Sequence, residues 1–107
     1  MRLTDFQIEA IVSSTRKIFS DKALVYLFGS RVDDELKGGD IDLMISDEDD
    51  HLTLQKKIIF LVDLKRKIVD QKIDLVFDNA NTRSKQSFYQ SILNHCICLN
   101  KKPVISA

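Results

Sequence analysis

The stretch that decides the fold runs from Ala23 to Ile45 and reads ALVYLFGSRVDDELKGGDIDLMI. It opens with β-branched and aromatic residues and reaches Gly29, a pattern typical of a buried strand that stops at a turn. The polar connection that follows ends in two glycines and leaves room for one helical turn. From Asp40 to Ile45, polar and apolar residues alternate as in a strand with one special face. The stretch therefore predicts two strands joined by a loop.

The second strand carries two acidic residues at a spacing that suits metal binding. Residues i and i+2 of a strand share a face, so Asp40 and Asp42 are predicted to lie side by side. In a third predicted strand, KIDLVFD, Asp74 can join them if the two strands pair. Such an all-oxygen site favours Mg²⁺ or Mn²⁺ over zinc. Two ions about 4 Å apart would stabilise the attacking and leaving oxygens of a displacement at phosphorus.

The turn after the first strand offers groups that suit a phosphate. Gly29 lets the backbone approach closely, the Ser30 hydroxyl adds a donor and Arg31 can add charge. A glycine and serine after a strand are common, and a DxD pattern more often marks a solvated edge. Their occurrence in one order, followed by the third acidic strand, makes the combination specific.

Helical periodicity surrounds these strands. Residues 4–20 predict an amphipathic helix capped by Thr4, and residues 84–94 predict another. A long helix is predicted over roughly His51 to Gln71, with CICL near the end of the chain as a short last strand. The apolar face assigned to the long helix consists of Leu54, Ile58, Leu61, Val62, Ile68 and Val69. Three further apolar residues widen it as core or as a partner surface: Ile59, Phe60 and Leu64.

These elements predict an α/β (α+β) fold with a small mixed sheet of three to four strands flanked by helices. One domain is expected over residues 1–107, with a flexible tail from about residue 101. The 16 basic and 16 acidic side chains cancel, so any nucleotide binding is local and nucleic acid is not an expected partner. No apolar run reaches the roughly 20 residues of a membrane span, and a cytoplasmic protein is expected.

Two other polar groups have simpler interpretations. The acidic run from Asp47 to Asp50 is predicted to be a solvated loop that caps the following helix. His95, Cys96 and Cys98 lack a partner cluster, so zinc is not predicted there. The two cysteines are not expected to form a disulfide with each other.

The segment FGSRVDDELKGGDIDLMI resembles the signature of the polymerase-beta-type nucleotidyltransferase superfamily, and in particular its smallest members, the minimal nucleotidyltransferase (MNT) domains. The resemblance covers most of the chain, from the first strand through the third. It implies a polymerase-beta-like fold, two Mg²⁺ ions and ATP as the donor. The residue roles that it implies are triphosphate binding by Gly29 and Ser30, beside which Arg31 can add charge, and metal binding and catalysis by Asp40, Asp42 and Asp74.

The chain departs from that pattern in the loop. Many minimal members carry GSRARG and a serine just before DID, whereas here Val32, Asp33 and Asp34 replace the small and glycine positions. Gly39 stands where the serine would be, and the connection is one residue shorter. The three aspartates are intact, so the departure concerns loop geometry and substrate choice.

The resemblance also implies a partner. Members that modify small molecules or RNA generally carry an added domain that grips the acceptor, and none is expected in 107 residues. The implied function is an antitoxin that transfers AMP to a hydroxyl, above all a tyrosine, of a HEPN-type toxin. The alternatives are transfer to a small molecule such as an antibiotic, and a non-catalytic protein that silences its partner by covering it. Base preference and homo-oligomer formation stay open.

Overall fold

The computed structural model describes residues 2–33, 39–49, 51–69 and 71–100. Within these residues, four α-helices and four strands follow one another in the order α1 Asp5–Ile18, β1 Leu24–Phe28, β2 Ile41–Ser46, α2 Leu54–Lys67, β3 Ile73–Phe77, α3 Ala80–Ser84, α4 Gln86–Asn94 and β4 Ile97–Cys98. A 3-10 helix over Gly29–Val32 lies between β1 and β2. The sheet order is β3-β2-β1-β4, with β2 and β3 parallel and the other pairs antiparallel. The predicted mixed α+β sheet is confirmed, whereas the predicted flexible tail lies outside the described residues.

Helix α1 begins where the sequence predicted. The Thr4 hydroxyl accepts from the backbone N–H of Gln7 at 3.1 Å, and the Gln7 side chain accepts from the Thr4 backbone N–H at 2.9 Å. This reciprocal pair is a capping box, which satisfies backbone donors that a helix start leaves without partners. The cap therefore fixes where α1 begins.

The predicted packing face of α2 was partly wrong: Ile68 is buried and Leu61 packs against the core, but the other four assigned residues are exposed. Phe60 and Leu64 are fully buried, whereas Leu54, Ile58 and Val62 are 71%, 55% and 48% exposed. The helix is apolar around most of its circumference, so periodicity alone did not single out the buried stripe. Phe60 contacts the Phe19 ring with centroids 5.6 Å apart, and burial of this large ring turns the other stripe outward.

The cap of α2 and the extent of the predicted third helix also differ from the sequence prediction. Helix α2 is capped by the Thr53 hydroxyl, which accepts from Lys56 N–H at 3.2 Å, and not by the acidic loop before it. The predicted third helix over residues 84–94 corresponds to α4, and the short helix α3 before it was not predicted. The two helices are separated at Lys85, where the backbone leaves the helical region. Cys96 and Cys98 are both free, as expected.

The sheet has one covered face and one chemically distinct face. Helices α1 and α2 lie over the face formed by alternate residues of the strands, and these residues form the core with Phe60 and Leu64. The core residues of the sheet are Val25, Leu27, Ile41, Leu43, Ile45, Ile73, Leu75 and Phe77. Within the described ranges, no helix has the length and apolar character needed to cross a membrane.

Helices α1 and α2 are joined by a polar contact at the edge of their interface. Asp63 on α2 accepts from the Ser14 hydroxyl at 2.5 Å and forms ion pairs with Lys17 and Lys67, each at 3.2 Å. The Asp63 side chain is 21% exposed, so water screens these bonds only partly. The hydrogen bond from Ser14, with those from both lysines, lowers the pKa of Asp63 to about 2.

This contact predicts a stability change with pH. Because the folded pKa of Asp63 lies below its unfolded value, its contribution is complete above pH ~5 and is lost as pH falls toward 2. Replacement Asp63→Asn is expected to lower the free energy of unfolding by about 2 kcal/mol at pH 7. Urea denaturation from pH 7 to pH 2.5 measures this difference, which should shrink as pH falls. The exposed Asp21→Asn is the control, and equal effects of the two variants would contradict the assignment.

Candidate functional site

A row of three side chains crosses the open face of the sheet. Phe28 at the end of β1 pairs with Asp42 of β2, and Asp42 pairs with Asp74 of β3. Residues in register on neighbouring strands share a face, so the two carboxylates stand side by side about 5 Å apart in backbone spacing. The parallel pairing of β2 and β3 thus brings together the two acidic positions that the sequence predicted.

The third predicted carboxylate stands at the start of the same strand. Asp40 directly precedes β2, and its side chain lies 3.7 Å from the Lys72 ammonium, which precedes β3. Burial, together with the charges of Asp74 and Asp40, raises the pKa of Asp42, and Lys72 lowers it in part. Among the described residues of the site, the three carboxylates therefore outweigh the charge of Lys72, which is the electrostatic condition for binding a cation.

Gly29 lies against the Asp42 carboxylate. A Cβ atom at Gly29 would stand 2.3 Å from Asp42 Oδ2, and the glycine has a φ of +77° that side-chain-bearing residues rarely adopt. Glycine is therefore required here for two independent reasons. Its bare backbone lies beside the carboxylates, and the phosphate contact that the sequence assigns to Gly29 stays a prediction.

Gly39 makes a second close approach. Its φ is +90°, and a Cβ there would stand 2.4 Å from the Ser30 hydroxyl oxygen. The residue that replaces the serine of related sequences is thus the one that leaves space for Ser30. This contact places the Ser30 side chain beside the segment that enters β2, close to Asp40 in sequence.

Arg31 holds the segments of the site together. Its guanidinium donates to the Arg2 carbonyl at 3.0 Å, to the Gly39 carbonyl at 3.2 Å and to the Gln71 side chain. These acceptors come from the start of the chain and from the segments before β2 and β3. The predicted contact between Arg31 and a phosphate stays a prediction, because the structure gives these donors protein partners.

A cavity of about 540 Å³ opens beside Gly29 and Ser30. Phe28 and Phe88 form an edge-to-face pair on its wall, with ring centroids 6.2 Å apart. Val32 and Asp33 line the cavity on the same side as Ser30, and helix α4 lines the other side through Phe88, Ser91, Ile92 and, just after its end, His95. The cavity and the carboxylates therefore share Gly29 as a boundary.

Another acidic group lies at the far end of β2. Asp47, Asp49 and His51 bring possible ligand atoms within 4.8 Å of one another. Burial raises the pKa of Asp47, but hydrogen bonds from His51, the Asp49 backbone and Ser20 lower it by more. The net shift of the pKa is therefore downward. Asp42 and Asp47 are five residues apart, about 17 Å along a strand. These bonds hold the loop, with the Asp47 side chain buried, whereas the sequence predicted a solvated acidic run that caps α2.

Sequence reasoning missed several contributors to the site. Gln71, Lys72 and Phe88 carried no motif, because their roles depend on which segments the sheet brings together. The signal for Phe28 was available in the sequence, since Phe28 lies two residues before Ser30 and alternates with the buried Leu27. A reading of strand parity would have placed it on the same face as Asp42 once the register was known.

Comparison with known proteins agrees with this geometry. Residues 7–103 match the family model described as polymerase beta, nucleotidyltransferase. A comparison with curated proteins gave no match. The family match extends over the whole row of carboxylates and over the cavity.

Two solved structures have a similar fold. One is the toxin-antitoxin complex MntA-HpeT, a mutant with two aspartates changed to glutamate, at a TM-score of 0.64 and 19% identity over 89% of this chain and 73% of that chain. The other is a tri-AMPylated Shewanella oneidensis HEPN toxin in complex with an MNT antitoxin, at 0.63 and 23% over 90% and 71%. At these identities the likeness establishes the fold.

Removing the charge of Asp42 is expected to stabilise the metal-free protein. Because the folded pKa of Asp42 is raised, its carboxylate costs stability at pH 7, and that cost disappears as pH falls through the raised pKa. Asp42→Asn should gain roughly 0.2–1 kcal/mol in chelator-treated buffer, the range for like charges facing across strands. Urea denaturation measures it, with Asp21→Asn as control.

Added Mg²⁺ should offset the stability that Asp42→Asn gains over the wild type. An ion that binds only the folded state stabilises it, so added Mg²⁺ should raise the midpoint of the wild type more than that of Asp42→Asn. A destabilised Asp42→Asn in metal-free buffer would contradict the repulsion assigned to this pair.

The contacts of Arg31 predict a separate effect. Lysine keeps the charge but cannot reach three acceptors with a planar fork, so Arg31→Lys should lose about 2 kcal/mol of stability. Amide exchange at Ile41, whose N–H donates to the Lys72 carbonyl at 2.9 Å, should become faster. Arg16→Lys on the exposed side of α1 is the control. Equal exchange in the two variants would show that Arg31 does not hold these segments.

Proposed function

Because the chain belongs to the polymerase beta nucleotidyltransferase family, we propose that it transfers AMP from ATP to a hydroxyl group of a HEPN-type toxin and so acts as an antitoxin. The observation that carries the proposal is the pairing of Asp42 with Asp74 beside the bare backbone of Gly29. This arrangement supports a cation site next to a surface that a phosphate can approach.

The acidic side chains suit divalent magnesium. Asp40, Asp42 and Asp74 supply oxygen ligands alone, and oxygen ligands select hard ions over zinc. Asp42 and Asp74 face each other on adjacent strands, so each can contribute to a shared ion. When bound, two Mg²⁺ ions would neutralise charge on the phosphates and on the leaving pyrophosphate.

The chain's own residues would orient the donor and accept a proton. Gly29 and Ser30 face the triphosphate, with Gly39 leaving the space that the Ser30 hydroxyl occupies. Asp74 is exposed at the outer side of the row, where an incoming hydroxyl can reach it. We assign to Asp74 the removal of the proton as the hydroxyl oxygen bonds to the α-phosphorus and the bond to pyrophosphate breaks.

A protein acceptor agrees with the surroundings of Asp74. Helices α1 and α2 cover the opposite face of the sheet, while α4 contacts the Phe28 side of the row through Phe88. Asp74 is thus approached from solution and can meet a side chain on another protein. The MNT antitoxin complex with an AMPylated HEPN toxin, which shares this fold, supplies the partner class.

The proposal predicts catalytic transfer. The protein is incubated with Mg²⁺, ATP and a candidate HEPN partner, and the protein is present at one-twentieth of the concentration of the partner. The intact mass of the partner is then measured. Most partner molecules should gain the mass of one or more AMP groups. Asp74→Asn should slow this gain roughly a hundredfold or more, since general-base catalysis contributes 10²–10⁴-fold. Asp21→Asn, equal in charge change and exposed at the other end of β1, should behave like the wild type.

The same experiment separates chemistry from covering. After the two proteins are separated, a partner silenced by transfer should stay silent, whereas a partner silenced by binding should regain activity. Stoichiometric, reversible protection that is equal for wild type and Asp74→Asn would overturn the transferase proposal.

A further inference from the structure

We propose that the cavity between β1 and helix α4 binds the nucleoside of the triphosphate donor, with Phe88 as the principal side chain on which the base stacks. This inference rests on the proposed function and assigns the part of the donor that the carboxylates and the Gly29 turn do not touch. Its occupant is a planar, heteroaromatic base joined to a sugar.

The position of the cavity supports a nucleoside. Gly29 forms part of its wall and also lies against the Asp42 carboxylate. Phe28 is in register with Asp42, so the cavity begins one strand spacing, about 5 Å, from the metal-binding carboxylates. A group attached to a phosphate held at Asp42 and Gly29 reaches the cavity without crossing any strand. Asp74 lies on the opposite side of Asp42, which leaves the acceptor a separate approach.

The lining has the chemistry that a base requires. The planes of the Phe28 and Phe88 rings meet at 81°, within 9° of perpendicular. A base that lies flat on one ring would therefore meet the edge of the other. Phe88 is 42% exposed, an unusual condition for a large aromatic side chain that already has a ring partner. The buried Ile92 closes the floor.

Polar groups at the cavity can read the base or the sugar. Ser91 offers a hydroxyl and His95 offers a ring nitrogen, both beside the apolar wall. A cavity that is largely apolar with a few polar groups is the usual form of a small-molecule site, and about 540 Å³ falls within the usual volume range. Hydrogen bonds from these two residues would orient a base that the phenylalanine rings hold only by stacking.

The test compares two ligands that differ in the nucleoside alone. Binding of Mg²⁺-ATP and of Mg²⁺-tripolyphosphate is measured calorimetrically for wild type, Phe88→Ala and Ser91→Phe, with Phe6→Ala as a control because Phe6 is an exposed aromatic residue on α1. Phe88→Ala should raise the Kd for ATP roughly tenfold, the scale of one lost base stack, and leave the Kd for tripolyphosphate unchanged. Ser91→Phe should do the same by filling the cavity. Phe6→Ala should change neither.

The outcomes distinguish this inference from the proposed function. If wild type binds neither ligand, the donor site assigned under the proposed function fails and the nucleoside site fails with it. If wild type binds both and neither cavity variant weakens ATP, only the nucleoside site is overturned. If the variants instead raise the KM for the protein acceptor at constant ATP affinity, the cavity receives the acceptor and the inference is wrong. A thermal unfolding midpoint within a few degrees of wild type for Ser91→Phe shows that lost affinity does not come from lost folding.

Discussion

Asp42 and Asp74 face each other across two parallel strands, and the repulsion between their carboxylates must be opposed by something else in the protein. The opposing contribution comes from the apolar residues next to these aspartates along β2 and β3, whose side chains lie on the opposite face of the sheet. Ile41, Leu43 and Leu75 are buried against α1 and α2, and burial of each such side chain contributes about 1.5–3 kcal/mol. The hydrophobic core therefore fixes the strand pairing, and the pairing holds the carboxylates together.

Much of this arrangement could be predicted from sequence because strand alternation is local. The pattern DIDLMI assigns acidic and apolar residues to opposite faces before any partner strand is known. The Thr4 cap is equally local, since Thr4 and Gln7 are three residues apart. The proximity of Asp74 followed from the sheet order, which the resemblance to a known family suggested and residue spacing alone did not establish.

The features that could not be predicted all depend on competition between distant segments. Helix α2 offered two apolar stripes, and the choice between them depends on Phe60 meeting the Phe19 ring, a contact that periodicity does not encode. Arg31 likewise has two chemically sensible partners, a bound phosphate or backbone carbonyls. Its contacts with Gly39 and Gln71 depend on how closely the segments before β2 and β3 approach.

The alternating facing of side chains in β2 also constrains how the gene can change in length. One codon inserted after Asp42 would reverse the facing of every later residue in the strand, turning Leu43 and Ile45 away from α1 and α2 and Ser46 toward them. The connection between Val32 and Gly39 precedes β2, so added or lost residues there leave this facing intact. Insertions and deletions accepted during divergence should therefore accumulate in that connection, and the one-residue difference from related sequences falls within it.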